Sequence, residues 1–201
     1  MSEIDTTFLS YAEKAADSIS SYRNKASILN LIAVEYAKSG QTQKALLIFD
    51  KAVNVAGSIS DGCFKAQTLS SIAVELAEAG QFDKAVDVAG SISDDYSKAE
   101  ALRDIASELA KAGQFDKAVN VAGSISDDSD KAWALKDIAV ELAKAGQFDK
   151  ALNVAGSISD DFVKAWALRD IASELAKAGQ TQQALQIFDK AANVAGSISR
   201  D

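Results

Sequence analysis

Hydrophobic residues recur at spacings of three and four along most of the chain, in short segments separated by glycine and by clusters of serine and aspartate. In residues 94–126 this spacing is shown by Ala99, Leu102, Ile105, Ala106 and Leu109. The pattern is typical of a helix with one buried face, which we call helix A. Helix A is expected to begin at Asp94 or Asp95, whose side chains can cap free backbone N–H groups. It is expected to end at Gly113, because glycine tolerates the left-handed conformation that follows a last helical turn.

A second helix, helix B, is predicted from Phe115 onward. Its first turn contains Asp116, a favourable place for a carboxylate because the N-terminal end of the helix dipole is positive. Its buried side is predicted to hold Ala118, Val119, Ala122 and Ile125. A glycine also falls in the apparent body of this short helix in three copies, at Gly90, Gly123 and Gly156. Since alanine would favour the helix there, we expect these glycines to mark the close approach of a neighbouring helix.

The hairpin of helix A and helix B is repeated along the chain. Residues 94–126 return as 127–159 with only six positions changed. A repeat of this kind buries its apolar side against its neighbour, so the copies predict one elongated domain over residues 1–201. The predicted parts are a single N-terminal helix at 4–20 and five repeats at 21–60, 61–93, 94–126, 127–159 and 160–199. The first and last repeats are longer between the glycine break and the repeat end, which predicts long B helices there.

Composition argues against several classes of function. The formal net charge of −8 offers no basic surface for nucleic acid or an anionic membrane. Histidine is missing and Cys63 is the only cysteine in the sequence, so we expect no disulfide, no metal and no cofactor. The N-terminal residues are acidic where a signal peptide is basic, and no apolar run is long enough to span a membrane. These features predict a cytoplasmic protein.

Signature positions of a known family are present in the first repeat, at Leu29, Ile32, Ala33, Tyr36, Gly40, Ala45, Leu46, Phe49 and Ala52. In the short repeats the aromatic position is held by Phe82, Phe115 and Phe148. The hairpin thus resembles the tetratricopeptide repeat, a helix-turn-helix unit of about 34 residues. It departs from that family where Leu102 replaces the usual tryptophan and where Ser-Asp or Asp-Asp replaces the closing proline. The resemblance covers residues 21–199 and implies an all-α fold, a right-handed α-solenoid that binds protein or peptide along a concave face lined by A helices.

Positions that differ between near-identical copies indicate a candidate binding surface. Four of the six differences between 94–126 and 127–159 are spaced i, i+4, i+7 and i+11, which places them on one face of helix A. We call these positions and their equivalents the variable face. Its predicted binding residues are Tyr96, Glu100, Arg103, Ser107, Trp133, Lys136, Val140, Phe162, Trp166, Arg169 and Ser173. The alternative is a solvated face that has drifted neutrally, although drift rarely places tryptophan in water twice in succession.

Two kinds of side chain on the variable face suit a ligand. Trp133 and Trp166 occupy the same position in adjacent repeats, so they are placed either to clamp a ligand side chain or to pack as core between A helices. One turn further on is a file of cations suited to ligand carboxylates, at Arg103, Lys136 and Arg169. Aspartates beside them make ion pairing between repeats an equal alternative, at Asp104, Asp137 and Asp170.

No catalytic motif is present: the sequence has no phosphate-binding glycine loop, no nucleophile elbow and no histidine to activate a serine. Acidic clusters such as Asp127, Asp128 and Asp130 lack the spacing of a calcium loop and are assigned to helix capping. We therefore predict a non-enzymatic protein-interaction scaffold, whose partner is a protein or peptide, acidic and with apolar anchors. The alternative is a structural or engineered array of repeats without a dedicated ligand. End-to-end self-association is also expected, because the last B helix keeps apolar residues at Ala184, Leu185, Ile187, Phe188, Ala191 and Val194.

Overall fold

The computed structural model describes residues 6–198, with the side chains of residues 8–196. Over this range the helices are α1 (Thr6–Asp17), α2 (Tyr22–Lys38), α3 (Thr42–Gly57), α4 (Gly62–Glu78), α5 (Phe82–Gly90), α6 (Asp95–Lys111), α7 (Phe115–Gly123), α8 (Asp128–Lys144), α9 (Phe148–Gly156), α10 (Asp161–Lys177) and α11 (Thr181–Ile198). Each helix A is followed by its helix B, so the predicted all-α class and the hairpin repeats of an α-solenoid are confirmed. The predicted N-terminal helix corresponds to α1, and residues 4 and 5 lie outside the described part.

Each helix A is started by a side-chain cap. Asp94 Oδ1 accepts hydrogen bonds from the backbone N–H of Ser97 at 2.8 Å and from its hydroxyl at 2.6 Å. These bonds favour the ionised carboxylate, so they lower the pKa of Asp94. The equivalent backbone bond is accepted by Ser21, Asp61, Asp127 and Asp160. The predicted capping by Asp94 and by other members of the acidic clusters is therefore confirmed.

Each helix A ends at a glycine in the left-handed conformation. Gly113 has a φ of 75°, and its N–H donates to the carbonyl of Ala110 at 2.9 Å. The N–H of Gln114 donates to the carbonyl of Leu109, also at 2.9 Å. This pair of bonds is a Schellman motif, which satisfies the last helical carbonyls before the chain turns. The predicted end of helix A at Gly113 is confirmed.

Helix B is short in the middle repeats and long in the first and last repeats, as expected from the repeat lengths. α7 has 9 residues, whereas α3 has 16 and α11 has 18. Gly123 is the last residue of α7, and a Cβ atom built on it would meet no atom within 4 Å. The same is true of Gly90 and Gly156. The expectation of close helix approach at these glycines is therefore wrong, because the space beside each of them is open.

Two compact units, residues 1–101 and residues 102–201, make up the chain, and each is described by itself. In the first unit α1 packs on α2, α3 packs on both α2 and α4, and the A helices α2 and α4 touch each other. In the second unit the A helices α8 and α10 touch each other, and α9 packs on both. A single domain over 1–201 concerns both units together and stays a prediction.

The core of each unit is built mainly from alanine and branched aliphatic side chains. In the second unit Ile105, Ala106, Ala118 and Ala122 have no solvent exposure. Alanine at the helix contacts allows the backbones to approach closely, while the larger side chains fill the space beside them. None of the described helices is long and apolar enough to cross a membrane.

Candidate functional site

Three aromatic side chains form a cluster on α8 and α10 of the second unit. The rings of Phe162 and Trp166, one helical turn apart on α10, have centroids 4.8 Å apart. The ring of Trp133 on α8 meets Trp166 edge to face, with centroids 5.7 Å apart and planes at 82°. Phe162 is 50% exposed and Trp166 is 38% exposed, while Trp133 is half-buried. We call these three residues the aromatic cluster.

The arrangement of the two tryptophans differs from both sequence-based alternatives. Because their rings are in contact, no slot remains between Trp133 and Trp166 for a ligand side chain, so the clamp is wrong in this geometry. Burial of both rings as core is also wrong, since Trp166 is exposed. The rings instead make one continuous apolar surface, because edge-to-face contact between tryptophans on neighbouring A helices is itself favourable.

The cations of the variable face form ion pairs with aspartates of the same unit. Arg103 Nη1 lies 2.7 Å from Asp130 Oδ1 on the next helix A, and its Nη2 lies 3.4 Å from Asp104 Oδ1. Asp130 is buried, with 9% of its surface exposed. The assignment of Asp130 to capping is therefore wrong: Asp127 caps α8, and Asp130 forms the ion pair. Sequence reasoning missed this role because Asp130 lies in an aspartate cluster.

The next two cations behave in the same way. Lys136 Nζ lies 3.3 Å from Asp137 and 3.9 Å from Asp170 of the following helix A. Arg169 donates to Asp170 Oδ1 at 2.7 and 2.9 Å, and its Cζ atom lies 5.3 Å from the ring centroid of Trp166. Arg103 and Lys136 therefore form ion pairs between repeats, which was one of the two sequence-based alternatives. Arg169, whose side chain is 53% exposed, is the most accessible of the three.

The other predicted residues of the variable face are all at least partly accessible. Tyr96 and Glu100 belong to the first unit, where Tyr96 is 72% exposed. Three predicted residues in the second unit are partly buried, namely Ser107, Val140 and Ser173. The Ser173 hydroxyl donates to the carbonyl of Arg169 at 3.0 Å, so it is engaged within its own helix. Among the described residues, no group of three or more His, Cys, Asp or Glu side chains is placed to hold a metal ion.

A second feature of the A helices was missed by sequence reasoning and lies in the first unit. A cavity of about 180 Å³ opens where α2 meets α4, lined by Ser27, Asn30, Leu31, Thr68, Ser71, Ile72 and Glu75. Asn30 is 5% exposed, and its Oδ1 atom is buried without a hydrogen-bond partner. The Thr68 hydroxyl donates to the carbonyl of Phe64 at 2.7 Å, which leaves its oxygen as an acceptor. The only sign of this cavity in the sequence was an asparagine, Asn30, at the repeat position where a later repeat has Arg103.

Glu75, in the wall of this cavity, differs from the glutamates at the same register position. In four repeats that glutamate pairs with a lysine three residues on, at 2.6–3.2 Å, in Glu35–Lys38, Glu108–Lys111, Glu141–Lys144 and Glu174–Lys177. In α4 the residue three positions on is Glu78. Burial and then the charge of Glu78 raise the pKa of Glu75, and Lys38 opposes that shift. The Glu75 carboxylate is therefore held in a site with surplus negative charge.

No family model matches the chain, and no curated protein matches it. Similar solved structures include BtubC (BKLC) from P. vanneervenii, at 14% identity and a TM-score of 0.49, covering 97% of this chain and 91% of that one. Nearly identical TPR-like repeats from a Podosopora anserina protein assigned as a kinesin light chain have 14% identity and a TM-score of 0.47, covering 91% of this chain and 100% of that one. Ton1535 from Thermococcus onnurineus NA1 has 16% identity and a TM-score of 0.41, covering 96% and 85%. The fold itself rests on the helical hairpins described above.

Proposed function

We propose that the protein is a non-enzymatic scaffold that docks a protein segment on the variable face of its second unit. The observation that carries this proposal is the exposure of Phe162 and Trp166, at 50% and 38%, although each ring is already in contact with another aromatic ring. Single exposed apolar side chains are common, but adjoining exposed aromatic rings form a patch that favours a partner. At interfaces, a few residues carry most of the binding energy, and tryptophan is enriched among them.

The contact geometry favours an apolar anchor over a purely ionic one. Trp133 is half-buried and meets the Trp166 ring edge to face, and this contact restricts the Trp166 side chain before a ligand arrives. A rigid ring loses little conformational entropy when a ligand covers it. An aliphatic or aromatic ligand side chain would therefore lie across Phe162 and Trp166.

An acidic group on the ligand would lie beside Arg169. This arginine is next to Trp166 and is the most accessible cation of the file, whereas Arg103 is bound to the buried Asp130. A ligand carboxylate would have to share Arg169 with Asp170. The preference for acidic ligands is therefore expected to be modest, and the apolar anchor is expected to dominate affinity.

A peptide selection tests this proposal. Random peptides displayed on phage would be selected on the whole protein, and their affinities would be measured by the fluorescence anisotropy of a dye attached to the peptide. In the wild type, whose two tryptophans both lie in the aromatic cluster, tryptophan emission also reports contact. We expect selected peptides to carry an apolar residue next to an acid, and Trp166→Ala to weaken them about thirtyfold, which corresponds to about 2 kcal/mol.

The matched control is Leu47→Ala, because Leu47 is 65% exposed but lies on α3 in the first unit. This variant should bind the selected peptides as the wild type does. Peptides that bind equally well to the Trp133→Ala, Trp166→Ala double variant would contradict the proposal. Failure to select any peptide would favour the alternative of a structural array without a dedicated ligand.

A specific observation also favours self-association through the last helix. Phe49 of α3 is completely buried, and α3 is packed against the following helix A. Its equivalent in α11, Phe188, is 37% exposed, and the neighbouring Leu185 is 55% exposed. Because burial of apolar surface is worth about 25 cal/mol per Å², covering these two side chains would stabilise an end-to-end contact between copies.

A further inference from the structure

Consecutive A helices of the second unit meet through opposite charges. Arg103 Nη1 on α6 lies 2.7 Å from Asp130 Oδ1 on α8. Lys136 Nζ on α8 lies 3.9 Å from Asp170 Oδ2 on α10. In both contacts the cation belongs to the earlier helix and the carboxylate to the later one. Each later helix A therefore turns carboxylates toward the helix A before it.

A second cation on α6 has the same relation to α8, two turns beyond Arg103. The hydrogen bond to Glu108 raises the pKa of Lys111, and the charges of Asp137 and Glu141 on α8 add to that shift. A nearby carboxylate favours the charged ammonium, so both of these α8 side chains lie on the side of the helix that is turned toward α6.

The carboxylates of α8 follow a regular spacing. With one small residue they occupy positions i, i+4, i+7 and i+11, as Asp130, Ala134, Asp137 and Glu141, which places them on one side of the helix. We call these four residues the acidic face. Ala134 has no solvent exposure, and a small residue at this point allows the neighbouring helix to approach closely. The last three members recur on α10, as Ala167, Asp170 and Glu174.

α10 also carries two cations, but the side that would meet a next helix A is open. Arg169 and Lys177 stand at the positions of the two cations of α6. The Arg169 side chain is 53% exposed, against 31% for Arg103, and that of Lys177 is 70% exposed. Ala176 is also exposed, whereas Ala143 at the same position of α8 is buried. α11 is the last described helix, so no described helix A follows α10 and covers this side.

The open surface continues from α10 onto α11. α10 packs on both α8 and α9, so a helix in the next position would pack on both α10 and α11. On α11 it would meet Leu185 and Phe188, which are both exposed. Positive charge and apolar surface are thus available side by side for one further helix.

We propose that α10 and α11 dock an amphipathic helix of a partner protein, in which a small residue at i and carboxylates at i+3 and i+7 reproduce the acidic face. The carboxylates bind Arg169 and Lys177, as those of α8 face the cations of α6, and the apolar side of the helix covers Phe188. This inference rests on the proposed docking of a protein segment by the second unit, and it specifies that segment as an acidic helix.

A second copy of this chain fits the surface less well than such a partner. On α2, whose Ile28 and Leu31 are exposed, Asn24 and Leu31 replace the two aspartates of the acidic face. The helices that keep the small residue and the following carboxylates are α6, α8 and α10, and their small residues have no solvent exposure, namely Ala101, Ala134 and Ala167. These acidic faces are therefore not available to another copy. Association of copies through α11 would cover Phe188, so the two occupants compete for it.

Fluorescence anisotropy with dye-labelled peptides tests this partner on the whole protein. The probe has the sequence of α8 and its cap, residues 127–144. A neutral control peptide carries Asp130→Asn, Asp137→Asn and Glu141→Gln, so its apolar residues are the same. A second control has the sequence of α2 and its cap, residues 21–38, and represents a second copy of the chain.

We expect the α8 peptide to bind saturably and the neutral peptide to bind about tenfold more weakly. The Arg169→Gln, Lys177→Gln double variant should bind the α8 peptide about tenfold more weakly than the wild type does, and the neutral peptide equally well. This comparison leaves the peptides unchanged, so it does not depend on their helical content. Lys150→Gln, which removes an exposed lysine of α9, is the matched control and should bind both peptides as the wild type does.

An exchange of charges tests which side chains are neighbours. Lys177→Glu should weaken binding of the α8 peptide, and a peptide with Glu141→Lys should recover part of the lost affinity for that variant. The same peptide should bind the wild type more weakly than the α8 peptide does. A Lys150→Glu variant should show no such recovery, because a change of net charge alone does not create a contact.

Four results would overturn the proposal. They are no binding of the α8 peptide, equal binding of the charged and neutral peptides, unchanged binding in the Arg169→Gln, Lys177→Gln variant, and tighter binding of the α2 peptide, which would assign the surface to a second copy. Failure of the proposed docking function appears in a different measurement, as peptides selected on phage that still bind after both tryptophans are replaced. Selected peptides that depend on Trp166 but not on the two cations would leave the docking site in place and remove only the acidic helix.

Discussion

Replacement by alanine should change the stability of the protein in opposite directions at two glycines of the same repeat. Gly123 ends α7 without a left-handed φ, and a Cβ atom there would meet nothing within 4 Å. Gly113 follows α6 with a φ of 75°. We expect Gly123→Ala to stabilise the protein and Gly113→Ala to destabilise it, although both positions have equally open surroundings.

The magnitudes follow from the backbone at each position. Replacing glycine by alanine in a compatible helical conformation gains about 0.4–1 kcal/mol, partly because it restricts the unfolded chain. At the end of a helix we take the lower part of this range, about 0.5 kcal/mol for Gly123→Ala. Alanine in the left-handed conformation costs about 1–2 kcal/mol. Substituting Gly90, Gly123 and Gly156 together should thus add about 1.5 kcal/mol, or about 3–6 °C in Tm for a chain of this length.

Urea unfolding followed by circular dichroism measures both effects. The midpoint should rise in Gly123→Ala and fall in Gly113→Ala without a change in the slope of the unfolding free energy against urea. Gly146→Ala, at a φ of 74°, is a second left-handed control. A lower midpoint in Gly123→Ala would show that a neighbouring helix does approach that residue, and an unchanged midpoint in Gly113→Ala would refute the conformational argument.

Three further predictions concern single side chains. Arg103→Gln should lower the free energy of unfolding in urea by about 1–3 kcal/mol, because Asp130, with its side chain 13% exposed, loses an ionic partner. A double-mutant cycle with Asp130→Asn measures the coupling energy between the two side chains, and a coupling energy of zero would contradict this prediction. Burial, with a smaller contribution from Glu13, raises the pKa of Tyr36 from 10.0 to about 12. The stability linked to this tyrosine is therefore complete below pH 10 and is lost as the pH rises from 10 to 12. Over that pH range the Tyr36→Phe variant should lose less stability than the wild type. In sedimentation, the average mass of the wild type should rise with concentration, and Phe188→Gln should reduce that rise; a wild type that stays monomeric at high micromolar concentration would refute association through α11.

Hydrogen bonds at the ends of the helices could be predicted because they are local. Asp94 caps α6 through a bond to a residue three positions away, and Gly113 ends the same helix through bonds that span at most five residues. Such geometry depends on the conformational preferences of single residues and their immediate neighbours. The lengths of the B helices followed in the same way from where the glycines fall.

The candidate site was predicted as a surface but not as a set of contacts. The spacing of the differing positions placed Trp166 and Arg169 on one accessible face of helix A, as found. It did not predict that the Trp133 ring would touch Trp166, or that Asp130 would bind Arg103. Ring orientation and ion pairing depend on rotamers and on how far apart neighbouring A helices stack, and neither is expressed in the spacing along one helix.

The sequence by itself determined the repeat, the hairpin and the face on which the repeats differ, because helix periodicity and capping act over a few residues. Only the tertiary structure decided the use of that face. It showed open space beside Gly123, an aromatic cluster in the second unit and an unpartnered Asn30 oxygen in the first. These features come from packing between helices distant in sequence. Arg103 binds Asp130 in the second unit, whereas the equivalent positions of the first unit hold Asn30 and Phe64, and the helices are intact in both.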